Sequence, residues 1–111
     1  MNIGIIGLGL MGGSLAKAVK RYSIANKVFG FTNSEKNKKD ILELNLVDEL
    51  VDLETLKKVS DVIILAIPVD AIIGMFPNFL DIDENTTIID MGSTKEYIVK
   101  NIPTKIRKNF I

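Results

Sequence analysis

The 111-residue sequence contains no cysteine, no histidine and no tryptophan. Without cysteine, these residues form no disulfide bond and no thiolate metal site, which fits a reducing compartment. Without histidine, they lack the usual general base near neutral pH and the commonest metal ligand. We therefore expect no bound metal and no conventional proton-transfer centre.

The sequence also lacks an excess of charge of one sign and a long apolar run. Lys and Arg number 14, and Asp and Glu number 14, so no strongly basic surface is available for a nucleic acid or an anionic membrane. The apolar run at residues 62–73 is too short to cross a membrane and contains Pro68 and Asp70. The apolar amino terminus has no basic segment before it, so it does not resemble a signal peptide. We expect a soluble, cytoplasmic protein.

What the sequence does have is an apolar content of 47%, enough for one compact domain over residues 1–111. Short β-branched runs alternate with helical patterns along the whole chain, which is typical of βαβ units. The pattern predicts an α/β fold of the Rossmann type, with a doubly wound, mainly parallel sheet and helices on both faces.

The predicted elements follow from periodicity, caps and turn residues. Strands are predicted at Asn2–Ile6 and at residues 27–32, 61–67 and 86–90, and the ambiguous segment 46–51 favours a minor strand. A helix with Leu15, Ala18, Val19 and Tyr22 on one face is predicted after a glycine-rich loop. Further helices are predicted at Glu35–Leu44, between Ser34 as N-cap and a left-handed Asn45, at Leu53–Val59, at 71–76 between Asp70 and an interrupting Pro77, and at 94–101.

The glycine-rich loop at residues 7–12 carries the clearest functional signal. It matches G-x-G-x-x-G between a predicted strand and a predicted helix. The first glycine permits a tight turn, the second lets the backbone approach a pyrophosphate, and the third lets the helix pack closely. Glycines here could instead only make a close strand-to-helix turn, but the context favours a dinucleotide site. The predicted cofactor contacts in this loop are Gly7, Leu8, Gly9, Leu10, Met11 and Gly12.

The choice between NAD and NADP depends on the end of the second strand, where an Asp or Glu would bind the adenosine ribose of NAD. This sequence has Thr32, Asn33 and Ser34 there, so no carboxylate repels a 2′-phosphate. Three lysines follow, at positions 36, 38 and 39, and an ordinary solvated helix face explains them better than a phosphate site. The preference between the two cofactors stays open.

Three segments together resemble the prephenate dehydrogenase family: Gly-Leu-Gly-Leu-Met-Gly-Gly-Ser-Leu-Ala at 7–16, Ala-Ile-Pro-Val-Asp at 66–70, and Asp-Met-Gly-Ser-Thr-Lys at 90–95. The resemblance covers nearly the whole chain. The glycine loop is shared by many oxidoreductases, whereas Gly-Ser-x-Lys after a strand is more selective. A 3-hydroxyisobutyrate dehydrogenase would have Ser-Thr followed two residues later by Pro, but here Ser93-Thr94 is followed by Lys95-Glu96.

The resemblance implies an enzyme of tyrosine biosynthesis that oxidatively decarboxylates prephenate or arogenate and passes hydride to NAD or NADP. It implies that Ala66, Ile67 and Pro68 contact the cofactor. Ser93 matches a family serine that hydrogen-bonds the catalytic histidine and the substrate hydroxyl, and the same residue could also cap the following helix. For Asp90 and Lys95, a structural salt bridge is as good an explanation as a binding role.

The chain departs from the family pattern after residue 108. The family's catalytic histidine belongs to a His-Pro-Met segment just after the strand expected to begin near residues 109–111, and the helical domain that covers the substrate and forms the dimer is also missing. We therefore expect a nucleotide-binding domain that binds cofactor without turnover and is a monomer or weakly self-associating, from a full-length homodimer. The alternatives are another NAD(P)-linked enzyme, such as a 3-hydroxyacid dehydrogenase, or a dinucleotide-sensing module without chemistry.

Overall fold

The structure, a computed structural model, describes residues 1–7, 16–19, 21, 26–67, 71, 74–90 and 109. Its strands are β1 (Asn2–Ile6), β2 (Lys27–Phe31), β3 (Glu49–Leu50), β4 (Val62–Leu65) and β5 (Thr87–Asp90). Its helices are α1 (Glu35–Leu44), α2 (Leu53–Val59) and a 3₁₀ helix (Phe76–Phe79), and residues 16–19, 21, 71, 74 and 75 are also helical. The predicted roles of Leu15, Tyr22 and Asp70 and the predicted helix at 94–101 lie outside the described residues.

The five strands form one parallel sheet in the order β3-β2-β1-β4-β5. In the register, Ile5 of β1 lies beside Gly30 of β2 and Ile64 of β4, and Ile63 of β4 lies beside Ile88 of β5. The chain first builds outwards from β1 to β3 and then crosses back to place β4 on the other side of β1. This arrangement confirms the predicted doubly wound, Rossmann-type fold.

Two buried clusters cover the two faces of the sheet, as alternating side chains of parallel strands require. On one face, Ile63 and Ile88 pack with Leu56 of α2 and with Phe76 and Phe79 of the 3₁₀ helix. On the other face, a second cluster joins strands β1, β2 and β4 to the helical residues 16–19 and to α1, and its buried members are Ile3, Ile5, Ala16, Val19, Val28, Ile41, Val47 and Ile64.

Helix α1 begins and ends at the predicted residues. Ser34 has an extended backbone, and its hydroxyl accepts the backbone N–H of Asn37 at 3.2 Å. Asn45 adopts the left-handed conformation at φ 50° and ψ 46°, which Asn tolerates better than most residues. Helix α2 also has its predicted bounds, because the carboxylate of Asp52 accepts the backbone N–H of Thr55 at 2.7 Å. This hydrogen bond lowers the pKa of Asp52 from its ordinary value.

The described α-helical residues before Pro77 end at residue 75, one residue earlier than predicted, and the chain continues through Pro77 as a 3₁₀ helix. Pro77 lies in the first turn of the 3₁₀ helix, where its missing N–H has no partner to lose. Burial of Phe76 and Phe79 against the sheet holds this turn in place. Four predicted strands are also shorter in the structure. Residues 32, 61, 66, 67 and 86 lie just outside the ends of β2, β4 and β5, and β3 covers only two residues of the segment 46–51.

Gly4 allows α2 to approach the central strand. A Cβ atom at this position would overlap Oγ of Ser60 and the side chain of Leu56. Leu56 is fully buried, so the helix cannot move away without opening the core. The absence of a side chain at Gly4 therefore sets how closely this helix packs on the sheet.

Lys57 connects α2 to the segment after the 3₁₀ helix at the amino-terminal edge of the sheet. Its side chain is only 6% exposed, and its ammonium donates to the backbone oxygen of Asn78, to Oδ1 of Asp81 at 2.9 Å and to Oε1 of Glu54 at 3.2 Å. Burial alone would lower the pKa of Lys57, but the hydrogen bonds and charges of Asp81 and Glu54 outweigh it and raise the pKa above its ordinary value.

Within the described residues, no helix is long and apolar enough to cross a membrane.

We predict that Lys57→Met lowers the free energy of unfolding by about 1.5–3 kcal/mol, the range for hydrogen bonds to charged groups. The matched control is Lys58→Met, because Lys58 is the exposed neighbour on the same helix, and this change should stay within about 0.5 kcal/mol. Urea denaturation measures both variants. Equal midpoints for the two variants would show that the Lys57 contacts do not stabilise the fold.

The stability that Lys57 provides should also depend on pH. Because its folded-state pKa is raised above the ordinary 10.5, this contribution is fully present below pH 10.5 and is lost as the pH rises through the folded-state pKa. We predict that the difference in unfolding free energy between the parent chain and Lys57→Met is constant from neutral pH to about pH 10 and then decreases. A difference that falls between pH 7 and 9 would contradict this assignment.

Candidate nucleotide-binding site

A groove of about 440 Å³ lies at the carboxyl ends of β1, β2 and β4. Its lining residues are Ile6, Gly7, Phe31, Thr32, Asn33, Ser34, Asn37, Ala66, Ile67, Ala71 and Met75. In a doubly wound sheet, ligands bind at the carboxyl ends of the strands where the strand order reverses. Here the order reverses between β1 and β4, so the groove occupies the expected place.

A second depression, of about 480 Å³, lies at the opposite edge of the sheet. It surrounds Lys57 and is bordered by Ser60, Asp81 and Thr86. The ammonium of Lys57 is already engaged by two carboxylates and a backbone oxygen, and the amino ends of parallel strands are not where such sheets bind ligands. The groove at the carboxyl ends is therefore the candidate site, although it is slightly smaller.

Gly7 forms the floor of the groove directly after β1. Its φ angle is +86°, a conformation that glycine adopts without strain and other residues rarely adopt. A Cβ atom here would overlap Cγ2 of Ile67 and the backbone oxygen of Ala66. The Gly7 N–H donates to the backbone oxygen of Phe31 at 2.9 Å. The ends of β1, β2 and β4 thus meet at a position that has no room for a side chain.

One wall of the groove is polar and follows β2. Thr32 is 7% exposed, and its Oγ1 accepts the backbone N–H of Ser34 at 3.2 Å. Oγ of Ser34 in turn accepts the N–H of Asn37 at 3.2 Å. A hydroxyl that accepts one hydrogen bond still has its own proton to donate, so Thr32 and Ser34 can each offer a donor to a ligand. Asn33 is exposed beside them.

The described lining of the groove contains no charged side chain. The charge lies just outside, on the first turns of α1, where Lys38 is paired with the exposed Glu35 at 3.1 Å. Backbone N–H groups and neutral side-chain donors can hold an anion without a buried charge. A glycine floor with no space for a Cβ and a wall of neutral donors fit the close backbone approach of a dinucleotide.

Comparison with known proteins gives this groove a context. Residues 15–111 match the family model described as "Prephenate dehydrogenase, nucleotide-binding domain". The chain belongs to this family. The match begins after the glycine loop and includes β2 and β4, whose carboxyl ends carry two sides of the groove.

Three members of the prephenate and arogenate dehydrogenase group illustrate the similarity. The prephenate dehydrogenase of Bacillus subtilis is 32% identical over 99 residues, which is 86% of this chain and 26% of that enzyme. The structure of prephenate dehydrogenase from Aquifex aeolicus matches with a TM-score of 0.84 and 26% identity, covering 97% of this chain and 40% of that one. Synechocystis arogenate dehydrogenase matches with a TM-score of 0.79 and 26% identity, covering 97% and 37%.

A second Aquifex aeolicus structure contains hydroxyphenyl propionate and NAD+, and it matches with a TM-score of 0.82 and 24% identity, covering 99% of this chain and 40% of that one. This chain thus spans about a quarter to two fifths of the length of these relatives. The family match agrees with the resemblance carried by the sequence motifs.

The structure brings together every predicted cofactor residue that it describes. Gly7, Thr32, Asn33, Ser34, Ala66 and Ile67 all line the one groove. The other predicted site residues lie outside the described residues: Leu8, Gly9, Leu10, Met11, Gly12, Pro68 and Ser93. Contact between any of these residues and a cofactor remains a prediction. Asp90 ends β5 at the same edge of the sheet.

Sequence reasoning missed five residues of the lining: Ile6 and Phe31 at the ends of β1 and β2, and Asn37, Ala71 and Met75. Asn37 follows the predicted N-cap Ser34 by three residues, so its place beside the cap could have been inferred. Ala71 and Met75 are four apart, which places them on one face of a helix. Nothing in the sequence shows that this face borders the groove, because that depends on how the segment packs against β4.

We predict that Gly7→Ala lowers the free energy of unfolding by about 2 kcal/mol or more, because the new Cβ combines backbone strain with overlap at Ile67 and Ala66. Gly74→Ala is the matched control, since a Cβ at Gly74 meets no atom within 4 Å. That change should leave stability unchanged or raise it by up to about 1 kcal/mol. Thermal unfolding of both variants provides the comparison, and equal losses would contradict the need for glycine at position 7.

Proposed function

We propose that this chain binds NAD or NADP in the groove at the carboxyl ends of β1, β2 and β4. It would do so as the nucleotide-binding part of an enzyme that oxidatively decarboxylates prephenate or arogenate in tyrosine biosynthesis. The observation that carries the proposal is the meeting of six cofactor residues predicted from the sequence around one groove, in a chain of this family. The Aquifex aeolicus enzyme, solved with NAD+, supports the choice of cofactor.

Each part of the groove has a role that its chemistry suggests. The pyrophosphate would lie over Gly9–Gly12, since Gly7 ends β1 in the tight turn that such a loop requires. The adenosine would lie beyond it, between the polar wall at Thr32 and Ser34 and the apolar side chains of Ile67 and Met75. A bound oxidised nicotinamide supplies the hydride acceptor.

Ser93 is the residue of this chain that we assign to the substrate side. It follows Asp90, the last residue of β5, by three positions, and ligands of parallel sheets lie beyond the carboxyl ends of the strands. We propose that its hydroxyl hydrogen-bonds the substrate hydroxyl from which a proton must leave. The whole enzyme is proposed to act on this small molecule as a homodimer, with no nucleic-acid or membrane partner.

The placement of the pyrophosphate is tested with Gly9→Val, because valine would block close approach of the backbone to the phosphate oxygens. We expect this variant to lose measurable binding of NAD and NADP by isothermal titration calorimetry. Gly74→Val is the control for adding the same side chain at an open position, and it should bind as the parent chain does. A folded Gly9→Val chain with unchanged affinity would contradict the placement.

We also predict binding without turnover for the 111-residue chain. Oxidation of the substrate hydroxyl requires a proton acceptor, and these residues contain no histidine to serve as one. With prephenate or arogenate and either cofactor, absorbance of reduced nicotinamide should not increase above background. Turnover at roughly 1 per second or faster would show that the catalytic base lies within these residues.

A further inference from the structure

We propose that the adenosine end of this groove accepts the 2′-phosphate of NADP, so that the chain prefers NADP to NAD. This inference rests on the proposed function, since it concerns the same groove. It addresses a preference that the sequence alone left open.

The first support is the absence of an acceptor for the ribose hydroxyls. Folds that select NAD place an Asp or Glu at the end of the second strand, where its carboxylate accepts the 2′-hydroxyl and repels a 2′-phosphate. The residue at that place is Thr32, and none of the described residues that line the groove is acidic. The described lining of the groove therefore has no carboxylate that would accept the ribose 2′-hydroxyl and no negative charge that would repel a 2′-phosphate.

The second support is the direction of the hydrogen bonds on the polar wall. Oγ1 of Thr32 and Oγ of Ser34 each accept a backbone N–H, from Ser34 and Asn37 respectively. Each hydroxyl keeps its own proton to donate. At neutral pH a phosphate oxygen accepts hydrogen bonds, and a bond from a neutral donor to a charged oxygen is stronger than one to a neutral ribose hydroxyl, so these two donors favour the phosphate.

The third support is a lysine next to this wall. A smaller depression beside the groove, of about 320 Å³, shares Phe31 and Thr32 with it and is bordered by Lys38. The ion pair between Lys38 and Glu35 is exposed, with side-chain exposures of 44% and 87%. Such a pair adds little stability, so the ammonium can turn to a phosphate at low energetic cost.

One acidic side chain, Asp52, borders the same depression. Its carboxylate accepts the backbone N–H of Thr55 as the N-cap of α2, which directs it to that helix. The side chains around Thr32 thus combine two hydroxyl donors with one cation that can change partner, and the one carboxylate nearby is directed to the amino terminus of α2.

The test compares two matched pairs of ligands by isothermal titration calorimetry on the 111-residue chain. The pairs are NADP with NAD, and adenosine 2′,5′-bisphosphate with adenosine 5′-monophosphate, which differ only by the 2′-phosphate. We expect the phosphorylated member of each pair to bind about tenfold more tightly, the ratio that one hydrogen bond to a charged group supports. Tighter binding of NAD than NADP would overturn this inference and leave the proposed function standing, whereas no binding of either would overturn the proposed function.

Substitutions then locate the preference. Thr32→Asp should reverse the ratio in favour of NAD, and Asn85→Asp, which adds the same charge at the exposed amino-terminal edge of the sheet, should not change it. Because Thr32 is buried, Asn33→Asp at the exposed neighbour is the second variant if Thr32→Asp does not fold. A ratio unchanged by an added carboxylate at both positions would show that the ribose lies elsewhere.

The lysine is tested separately with Lys38→Gln. This variant should weaken NADP binding by roughly three- to tenfold and leave NAD binding unchanged, since a single partly exposed charge pair contributes about that much. Lys58→Gln on α2 is the control, because Lys58 borders the depression at the other edge of the sheet. Equal effects of Lys38→Gln on both cofactors would contradict a contact with the 2′-phosphate.

Discussion

The close packing around the central strand β1 is the constraint on which the rest of the structure depends. This strand pairs with β2 on one side and β4 on the other, and it is covered on both faces by buried clusters. Two segments come so near to this part of the chain that only glycine fits opposite them. Helix α2 lies against Gly4 within β1, and residues 66 and 67, just after β4, lie against Gly7, just after β1. The same lack of side chains therefore packs the core and leaves room for a groove at the strand's carboxyl end.

The two edges of the sheet have different chemistry. At the amino-terminal edge, Lys57 is buried and engaged by Asp81 and Glu54, which connects α2 to the segment after the 3₁₀ helix. At the carboxyl-terminal edge, the described groove lining is neutral. The hydroxyl oxygens of Thr32 and Ser34 accept backbone N–H groups from Ser34 and Asn37 of the same wall. Ionic contacts thus connect the elements at the end opposite the groove, while the groove itself keeps neutral hydroxyl donors.

Asn109, near the residues where the family's next strand is expected to begin, lies beside the edge strand β5. The backbone oxygen of Asn109 accepts the N–H of Ile88, and its buried amide donates to the backbone oxygens of Asp83 and Thr86. Asn109 therefore lies beside β5 and satisfies backbone groups at its edge.

The sequence by itself determined the fold class, the bounds of α1 and α2 and the caps of α1 at Ser34 and Asn45. These features follow from local hydrogen bonding and periodicity, which neighbouring residues decide. It also identified Gly7 and Thr32 as site residues, because motif spacing relates them to strand ends. Only the tertiary structure decided that Pro77 continues a buried turn, that Met75 borders the groove, and that Lys38 rather than Lys36 or Lys39 lies next to Thr32. Such relations join residues from separate elements, so they depend on how those elements pack and not on sequence spacing.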